Sequence, residues 1–446
     1  MQIIIHRGTA EIGGNCVEMR AGDTRIIVDV GLPLVAEDGE PFDPRTLRGK
    51  DVPELLREGV LRSVPGLFDD PQDSSRPPDA ILLSHAHVDH TGLQQYTRPE
   101  IPVYLSHGTA DMMYVGFKFA SQWVVRRDRQ RLFRPGEPLR IGDFEITAYP
   151  VDHSAFDSMA FLIEAEGKRV LYSGDLRLHG RKPGMAGRLV AAVGPRRLDA
   201  LILEGTHVGQ ESTRGGTEWD LEDVLAGHIR SAPGIVLANF SPLNVDRLVG
   251  FYKAATGRSV GRTFVVDPYA AMVMQKVHAY SPRIPDPAAA ANIRVYFNRS
   301  FEDTWQKKAL GDLRRSLLPR RIGMEELRAN PERFVMVFRP GMIEGDFDGR
   351  LPRHARCIYS YWPGYLERPG GAEFQAAFES PEVAGDFIQA HTSGHIFADD
   401  IVAFIESIDP EKAARILPIH TFHKDQFPKL LDRVEHVRDG EVYELV

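Results

Sequence analysis

The amino-acid sequence predicts a layered α/β fold with more than one domain, and three observations support this prediction. The chain has 446 residues, whereas typical domains have about 100–200. Its first part contains many short apolar segments bounded by Gly, Asp or Pro, as strands are. Farther along, strand-like and helix-like segments alternate, an order that is typical of a parallel sheet.

Composition excludes several other classes of protein. The hydrophobic fraction is 43% and the charged fraction 26%, ordinary values for a globular chain and unlike those of a disordered or fibrous one. No segment approaches the roughly 18 uninterrupted apolar residues of a membrane-spanning helix, and we expect no signal peptide. Two cysteines, Cys16 and Cys357, cannot form a disulfide framework, so we expect a reducing, cytoplasmic setting. The net charge of −8 argues against a protein that coats nucleic acid without specificity.

The predicted elements follow in chain order. The apolar runs of the first part predict strands at residues 3–6, 24–30, 80–84, 143–150, 159–165, 169–173 and 198–204. In the middle, strands at 234–238 and 263–266 are each followed by a segment with helical spacing of apolar residues, at 242–256 and 270–280. Residues 281–300 are rich in Pro, Ala and Asn and are expected to be a connection. The remaining predictions are strands at 332–339, 356–360, 387–391 and 414–419 and a helix near 401–408.

The strongest functional pattern is the segment SHAHVDHTG at residues 84–92, which directly follows an apolar strand. Alternate residues of an extended segment share a face, so His85 and His87 can bind one metal ion. The turn that follows would present Asp89 and His90 to a second ion. Imidazole and carboxylate ligands suit zinc, or manganese where more oxygen ligands join. The alternative is a solvated, histidine-rich loop.

Single metal-binding residues follow three later apolar strands, namely His153, Asp175 and His420. Each alone is more often a structural hydrogen-bonding residue than a ligand. Their order after the HxHxDH pattern resembles that of the metallo-β-lactamase superfamily, whose first motif also matches Asp29 in the segment IIVDVG.

This resemblance implies an αββα sandwich with two metal ions at the strand ends. It assigns His85, His87 and His153 to one ion, Asp89, His90 and His420 to the other, and Asp175 to a bridge between them. Asp29 would orient a ligand without touching metal. Two divalent ions, zinc first and manganese as the alternative, are therefore the expected cofactors.

A gap of more than two hundred residues separates Asp175 from His420, and the alternating αβ segment fills it. Such an insertion resembles the β-CASP group of nucleases, which includes ribonuclease J. Three further motifs match this group: LILEGT with Glu204, HTSGH at residues 391–395, and LPIH ending at His420. The expected domains are residues 1–208 and 386–446 for the lactamase-type sandwich, and 209–385 for an inserted αβ domain built on a parallel sheet. The pattern differs in two places, since Thr421-Phe422 replaces a Gly-Glu pair and the chain ends soon afterwards, where ribonuclease J has an additional domain.

The resemblance implies a metal-dependent phosphodiesterase, specifically a ribonuclease that acts as an endonuclease, a 5′-to-3′ exonuclease or both. In a site of this kind two metal ions can share a hydroxide that attacks phosphorus. Asp89 is a candidate for orienting that hydroxide. His395, held by Glu204, is the candidate general acid for the leaving oxygen.

Two segments are candidates for binding substrate. His391, Ser393 and Gly394 can bind a phosphate group, although a tight turn made possible by the glycine is the alternative. Residues 118–134 hold six basic residues against one acidic residue, with Trp123 and Phe133 among them, and could follow a single nucleic-acid strand. The alternative for this stretch is an amphipathic helix with a solvated arginine face. The arginine doublets at 314–315 and 320–321 form a weaker candidate.

Other functions stay open at this level. The same fold could hydrolyse small esters, lactones or thioesters, could act on single-stranded DNA, or could be a catalytically inactive binding protein. The inserted domain, together with Glu204 and His395, favours a nuclease, because a small-ester hydrolase does not require them. The expected partners are single-stranded RNA, with DNA as the alternative, and a second copy of the chain in a homodimer; no membrane is expected.

Overall fold

A computed structural model of the chain describes residues 1–36, 39–210 and 215–445. These residues divide into two units. The sandwich unit comprises Met1–Leu178, Lys182–Arg214 and Gly394–Val446, and the insert unit comprises His179–Arg181 and Gly215–Ser393. The predicted boundaries fall after residues 208 and 385, and the main junctions of the units fall after residues 214 and 393. The domain names attached to these segments stay a prediction.

The elements of the described residues are numbered in chain order. The strands are β1 Gln2–Arg7, β2 Cys16–Ala21, β3 Thr24–Val28, β4 Ala80–Leu82, β5 Val103–Ser106, β6 Gln130–Phe133, β7 Pro138–Ile141, β8 Phe144–Pro150, β9 Met159–Ala165, β10 Lys168–Tyr172, β11 Ala200–Glu204, β12 Val236–Asn239, β13 Thr263–Val266, β14 Ile293–Val295, β15 Phe334–Val337, β16 Arg356–Tyr359, β17 Asp386–Gln389, β18 Arg415–Ile419 and β19 Val442–Glu444. The α-helices are α1 Val52–Arg57, α2 Val88–Thr91, α3 His107–Phe119, α4 Gly184–Val193, α5 Glu218–Ser231, α6 Val245–Thr256, α7 Pro268–Tyr280, α8 Arg299–Thr304, α9 Gly311–Leu317, α10 Met324–Ala329, α11 Met342–Gly345, α12 Gly371–Glu379 and α13 Ala398–Ile408. Short 3₁₀ helices cover Pro44–Leu47, Gln94–Tyr96, Leu318–Arg320, Pro331–Arg333, Pro363–Glu367 and Lys424–Lys429.

The sandwich unit is built from two facing sheets. The seven-stranded sheet has the order β19-β1-β2-β3-β4-β5-β6, and the six-stranded sheet has the order β18-β11-β10-β9-β8-β7. Ile26 and Leu82 of the first sheet pack in one buried core with Phe161, Val170 and Ile202 of the second. Helices α4 and α13 cover the other face of the six-stranded sheet through a second apolar core. Together with the helices that follow β4 and β5, this arrangement confirms the predicted αββα sandwich.

The strand directions bring the candidate site residues to one edge of each sheet. Strands β3 to β6 are parallel to one another, so β3 and β4 end on the same side. In the other sheet β10, β11 and β18 are parallel, and β8 runs in the same direction because both it and β10 are antiparallel to β9. The segments after these strand ends hold the predicted metal ligands.

The insert unit contains a fully parallel sheet, as predicted. Its order is β14-β13-β15-β12-β16-β17, and every pairing is parallel. Its strands are continuous apolar runs such as FVMV in β15, because a parallel sheet is buried on both faces.

One local prediction and one alternative interpretation were wrong. The connection at residues 281–300 contains strand β14, which is too short to stand out as a pattern but pairs with β13. Residues 118–134 are not a continuous helix, since α3 ends at Phe119 and β6 begins at Gln130. Ser121, at a φ of 53°, lies between them, in a backbone conformation that a helix does not contain. Among the described residues, no helix is both long and apolar enough to cross a membrane.

Candidate metal centre

Nine histidines and carboxylates meet at the strand ends of the sandwich unit in three overlapping groups. The first group is His85, His87, His153 and Asp175; the second is Asp89, His90, Asp175 and His420; the third is Asp175, Glu204 and His395. Within each group the potential ligand atoms lie within 4.8 Å of one another. We call the seven residues of the first two groups the ligand cluster. The sequence predicted this same set, and Asp175 belongs to every group.

A change of backbone conformation after β4 lets one short segment reach both groups. The chain stays extended up to His87, which precedes α2 with φ −67° and ψ 148°. The single helical turn of α2 then turns Asp89 and His90 towards the second group. Gly31 permits this arrangement, because a Cβ atom there would lie 1.7 Å from the carbonyl oxygen of Asp89.

The distances within the ligand cluster centre on one carboxylate oxygen. Oδ2 of Asp175 lies 3.1, 3.6, 3.8 and 3.8 Å from Nε2 of His90, His85, His153 and His420, respectively. On the first group's side, Nε2 of His153 is 3.1 Å from Nδ1 of His87. On the other, Nε2 of His420 is 3.7 Å from Oδ2 of Asp89. The nitrogen lone pairs and carboxylate oxygens therefore converge on two adjoining small volumes.

The ligand cluster fits divalent cations, because its buried polar atoms lack other partners. Apart from one another, Nε2 of His85, His90 and His420 and both carboxylate oxygens of Asp175 have no hydrogen-bond partner among the described residues. Buried polar groups without partners are costly and rare. Imidazole nitrogen and carboxylate oxygen are the ligands that zinc takes in proteins.

The electrostatics of the ligand cluster also suit a metal centre. Burial, reinforced by neighbouring histidines, lowers the pKa of His85, His153 and His420 well below its usual value, and burial lowers that of His87 to about 4. These rings are neutral at pH 7, the form that binds metal. His90 is the exception, since burial lowers its pKa but the charges of Asp175 and Asp29 raise it well above the usual value. In the protein without metal, Asp175 and Asp29 thus favour a proton on His90. A bound cation would supply the positive charge in place of that proton.

Asp29 supports the ligand cluster from below. Its buried side chain accepts hydrogen bonds from the backbone N–H and the hydroxyl of Ser84, each at 2.8 Å, and from Nδ1 of His90 at 2.7 Å. Asp29 and the ligand His420 both hold φ values in the left-handed region, 60° and 54°. Such backbone strain is found at functional sites, where surrounding contacts maintain it.

Glu204 and His395 form a hydrogen-bonded pair beside Asp175. Nδ1 of His395 donates to Oε2 of Glu204 at 3.0 Å and lies 3.8 Å from Oδ2 of Asp175. The hydroxyl of Thr206 and the backbone N–H of Leu176 also donate to this glutamate, at 2.7 and 2.9 Å. Burial lowers the pKa of His395, but the charges of Glu204 and Asp175 outweigh it and raise the pKa to about 9. These two carboxylates therefore favour the protonated form of the ring.

Comparison with known proteins agrees with this geometry. Residues 52–250 match the model of the beta-lactamase superfamily domain. Ribonuclease J of Corynebacterium glutamicum is 24% identical over 444 residues, which cover 93% of this chain and 52% of that protein. Ribonuclease J of Mycobacterium tuberculosis is 28% identical over 278 residues, 58% of this chain and 44% of that protein. A transcription termination factor FttA of Methanothermobacter thermautotrophicus is 23% identical over 259 residues, 52% of this chain and 36% of that protein.

By these comparisons the chain resembles the metallo-β-lactamase superfamily. Within that superfamily it is similar to the ribonuclease J and β-CASP proteins, although it spans only about half the length of the curated relatives it matches. A crystal structure of a protein of unknown function from Enterococcus faecalis has the same fold. It superposes with a TM-score of 0.77 at 19% identity, over 99% of each chain.

The predicted phosphate-binding residues lie in both units of the chain. His391 and Ser393 belong to the insert unit, where Nδ1 of His391 lies 3.3 Å from Nη1 of Arg247 and the Ser393 carbonyl accepts from Nε2 of His179 at 2.8 Å. Gly394 belongs to the sandwich unit. Their role in binding phosphate stays a prediction.

Sequence reasoning missed the support that Gly394 gives to a ligand. Its carbonyl oxygen accepts a 2.6 Å hydrogen bond from Nδ1 of His153, which leaves Nε2 of that ring directed at the ligand cluster. A Cβ atom at this position would lie 2.6 Å from Oγ of Ser154. The sequence predicted the glycine of HTSGH to bind phosphate or to form a turn, and not to support a ligand, because its partner lies 241 residues away.

Proposed function

We propose that this protein is a metal-dependent ribonuclease that hydrolyses phosphodiester bonds. The observation that carries the proposal is the third group, in which His395, hydrogen-bonded to Glu204, stands beside Asp175 of the ligand cluster. A ligand cluster alone would serve many hydrolases of this fold. An added proton donor suits a reaction whose leaving group is an alkoxide, as in phosphodiester cleavage or ester hydrolysis, and the similarity to ribonuclease J favours the phosphodiester.

The ligand cluster would hold two divalent cations, zinc by the nature of the donors and manganese as the alternative. When bound, such ions lower the pKa of water towards about 7 and offset charge on the phosphate oxygens. Asp89 is the residue that we assign to orienting the attacking water. Its side chain is 12% exposed, whereas those of His85, His90 and His420 are fully buried.

His395 is the residue that we assign to protonating the leaving oxygen. Its side chain is 21% exposed, so a substrate can reach it. Because Nδ1 donates to Glu204, the proton on Nε2 is the one available for transfer. Glu204 and Thr206 hold this orientation. General acid catalysis of this kind typically contributes about 10²–10⁴-fold.

In the insert unit, we assign His391 and Ser393 to binding a phosphate of the substrate, with the adjoining Gly394. Nδ1 of His391 lies 3.3 Å both from Nη1 of Arg247, which can only donate, and from the carbonyl oxygen of Ser360, which can only accept. Arg247 is fully buried and also donates to the carbonyl oxygens of Ser360 and Thr392. These contacts hold the ring of His391 in place beside Ser360 and Thr392.

The strip at residues 118–134 is proposed as a contact for single-stranded RNA. Arg127, Arg131, Arg134 and Trp123 are exposed, whereas Phe133 lies in the core between the sheets. Arg129 is buried too, donating to the carbonyl of Ile101 and the hydroxyl of Thr97, which makes it structural. Strand β6 lies at the end of its sheet, so its exposed side chains are accessible from one side of the sandwich unit. The doublets at 314–315 and 320–321 are weaker candidates, since Arg314 and Arg315 pair with Glu302 and Asp312.

The decisive experiment combines metal analysis with cleavage. The purified protein is analysed by mass spectrometry for bound metal. It is then incubated with 5′-monophosphorylated and 5′-triphosphorylated single-stranded RNA, with matching DNA, and with ester, lactone and thioester substrates. We expect two divalent ions per chain and cleavage of RNA, and product lengths from end-labelled RNA separate endonuclease from 5′-to-3′ exonuclease action. Absence of metal, or metal without RNA cleavage, would overturn the proposal.

A salt titration tests the RNA strip separately. Reversing Arg127, Arg131 and Arg134 to Glu should reduce the slope of log binding constant against log salt by about 0.7 for each lost phosphate contact. Reversal of three exposed arginines elsewhere, Arg188, Arg258 and Arg353, is the matched control. An equal change in both triple variants would reject the strip. Light scattering on the same samples tests the proposed homodimer.

A further inference from the structure

A buried tyrosine links the two sheets of the sandwich unit beneath the ligand cluster. Tyr172 ends β10 in the six-stranded sheet and is fully buried. Its hydroxyl donates a 2.7 Å hydrogen bond to Oδ2 of Asp29, which follows β3 in the seven-stranded sheet. The bond therefore joins two strand ends that lie on opposite sides of the core.

Each of these strand ends adjoins a different half of the ligand cluster. Asp175 follows Tyr172 by three residues, and His153 and His420 come from the same six-stranded sheet. The other ligands come from the segment after β4, which Asp29 holds through Ser84 and His90. The spacing between the two halves thus depends on the contact between Tyr172 and Asp29.

Asp29 also determines which nitrogen of two ligands carries a proton. An ionised carboxylate only accepts, so His90 must donate from Nδ1, which leaves the lone pair of Nε2 for a metal. The Ser84 hydroxyl donates to the same oxygen at 2.8 Å, so it can accept from Nδ1 of His85 at 3.0 Å. One carboxylate therefore orients a ligand in each of the two metal groups.

We propose that Tyr172 is a positioning residue of the metal centre, which holds Asp29 so that His85 and His90 present Nε2 across a fixed distance to the ligands of the other sheet. This inference rests on the proposed metal dependence. It goes beyond that proposal because a tyrosine that filled the core would need only its ring, whereas this one uses its hydroxyl.

The test is Tyr172→Phe, which keeps the ring and removes the hydrogen bond. Wild-type and variant proteins are equilibrated with Zn²⁺ against a graded chelator, and bound zinc is measured by mass spectrometry. Loss of a group that supports a metal ligand typically weakens metal binding about 10–100-fold, and we expect a change of that size. The visible absorption of Co²⁺-substituted protein should change as well, because the ligand geometry changes.

The insert unit offers a matched control. The hydroxyl of Tyr296 donates to Oδ1 of Asp346 at 3.0 Å, also in a buried setting. Tyr296→Phe should leave zinc binding unchanged. The unfolding of both variants is also measured without metal. Both variants can show a general loss of stability in that measurement, whereas only Tyr172→Phe should show a loss of zinc affinity.

Each remaining outcome is decisive. Zinc binding by Tyr172→Phe equal to wild type overturns the inference. If that variant fails to fold, Ser84→Ala, which removes the hydroxyl that joins Asp29 to Nδ1 of His85, should weaken zinc binding at least about tenfold; an unchanged affinity again overturns it. If the wild-type protein binds no zinc or manganese, the proposed function itself fails, an outcome distinct from an ineffective Tyr172→Phe.

Discussion

Two buried carboxylates of the sandwich unit, Glu18 and Asp175, have opposite environments. Glu18 in β2 is fully buried and accepts from His6, Arg20 and Arg25, at 2.8, 2.5 and 2.7 Å. Burial raises its pKa, but these partners outweigh burial and hold the pKa well below the usual range. Asp175 is 1% exposed, and burial raises its pKa.

The difference lies in where the positive charge comes from. The chain itself supplies cations to Glu18, so that carboxylate is part of the scaffold. Around Asp175 it supplies mainly imidazoles, most of which burial keeps neutral. A carboxylate buried without a permanent cation is costly, and this arrangement is typical of functional sites. The comparison therefore indicates that ions from outside the chain complete the Asp175 site.

The largest expected effect is that of Asp175→Asn. Removing the charge common to both metal groups should abolish tight binding of both ions. RNA cleavage should fall by more than about 10⁴-fold, because the variant loses the contribution of the metal ions and also one of the charges that favour the protonated form of the general acid His395. The metal-free variant should unfold at a temperature no lower than metal-free wild type, because a costly buried charge is gone. Mass spectrometry and thermal unfolding measure the two effects. A variant that retains both ions would contradict the assignment of Asp175.

His395→Ala should have the next largest effect, on turnover alone. Cleavage should slow about 10²–10⁴-fold through loss of the proton donor, while bound metal stays nearly unchanged. Single-turnover kinetics and metal content on the same preparation check this. Thr206→Val, which removes one hydrogen bond to Glu204, should give a smaller loss of the same kind. Equal loss of metal in His395→Ala would show that this histidine is a ligand instead.

Glu18→Gln tests the scaffold side of the comparison. It leaves two arginines with a neutral partner, so the free energy of unfolding should fall towards the lower end of about 3–5 kcal/mol, without any change in metal content. Because the pKa of Glu18 is lower folded than unfolded, its contribution is fully present above the unfolded value of about 4.3 and is lost as pH falls. Wild type and variant should therefore converge in urea-unfolding free energy at acidic pH. A constant difference down to pH 2 would contradict this reasoning.

Local patterns predicted most of the fold and four residues of the ligand cluster, whereas His153, Asp175 and His420 were assigned through the resemblance to the metallo-β-lactamase superfamily. Apolar runs mark the strands, and HxHxDH places four ligands within six residues. The supporting contacts were not predictable in this way. Tyr172 and Asp29 are 143 residues apart, and Gly394 and His153 are 241 apart, so only the folded chain shows that they meet.

Long-range pairing also explains the wrong interpretation of residues 118–134. Phe133 is buried because β6 pairs with β5, and Arg129 is buried because its partners Thr97 and Ile101 lie there. Neither contact can be predicted from the local composition of the sequence. The basic and aromatic residues of this stretch therefore lie mostly in a loop and an edge strand, and only part of their charge is exposed.

The smallest expected effect on metal binding is that of Gly31→Ala, which tests whether backbone packing alone positions the ligands. The added Cβ would lie 1.7 Å from the carbonyl oxygen of Asp89, so α2 must shift. We expect zinc affinity to fall about tenfold and stability by about 1–3 kcal/mol, the usual cost of overpacking. Gly187→Ala is the control, because a Cβ there meets nothing within 4 Å and alanine favours the helix α4. If Gly31→Ala lost stability but bound zinc as wild type does, the positions of Asp89 and His90 would depend on the hydrogen bonds of Asp29 and not on this backbone contact.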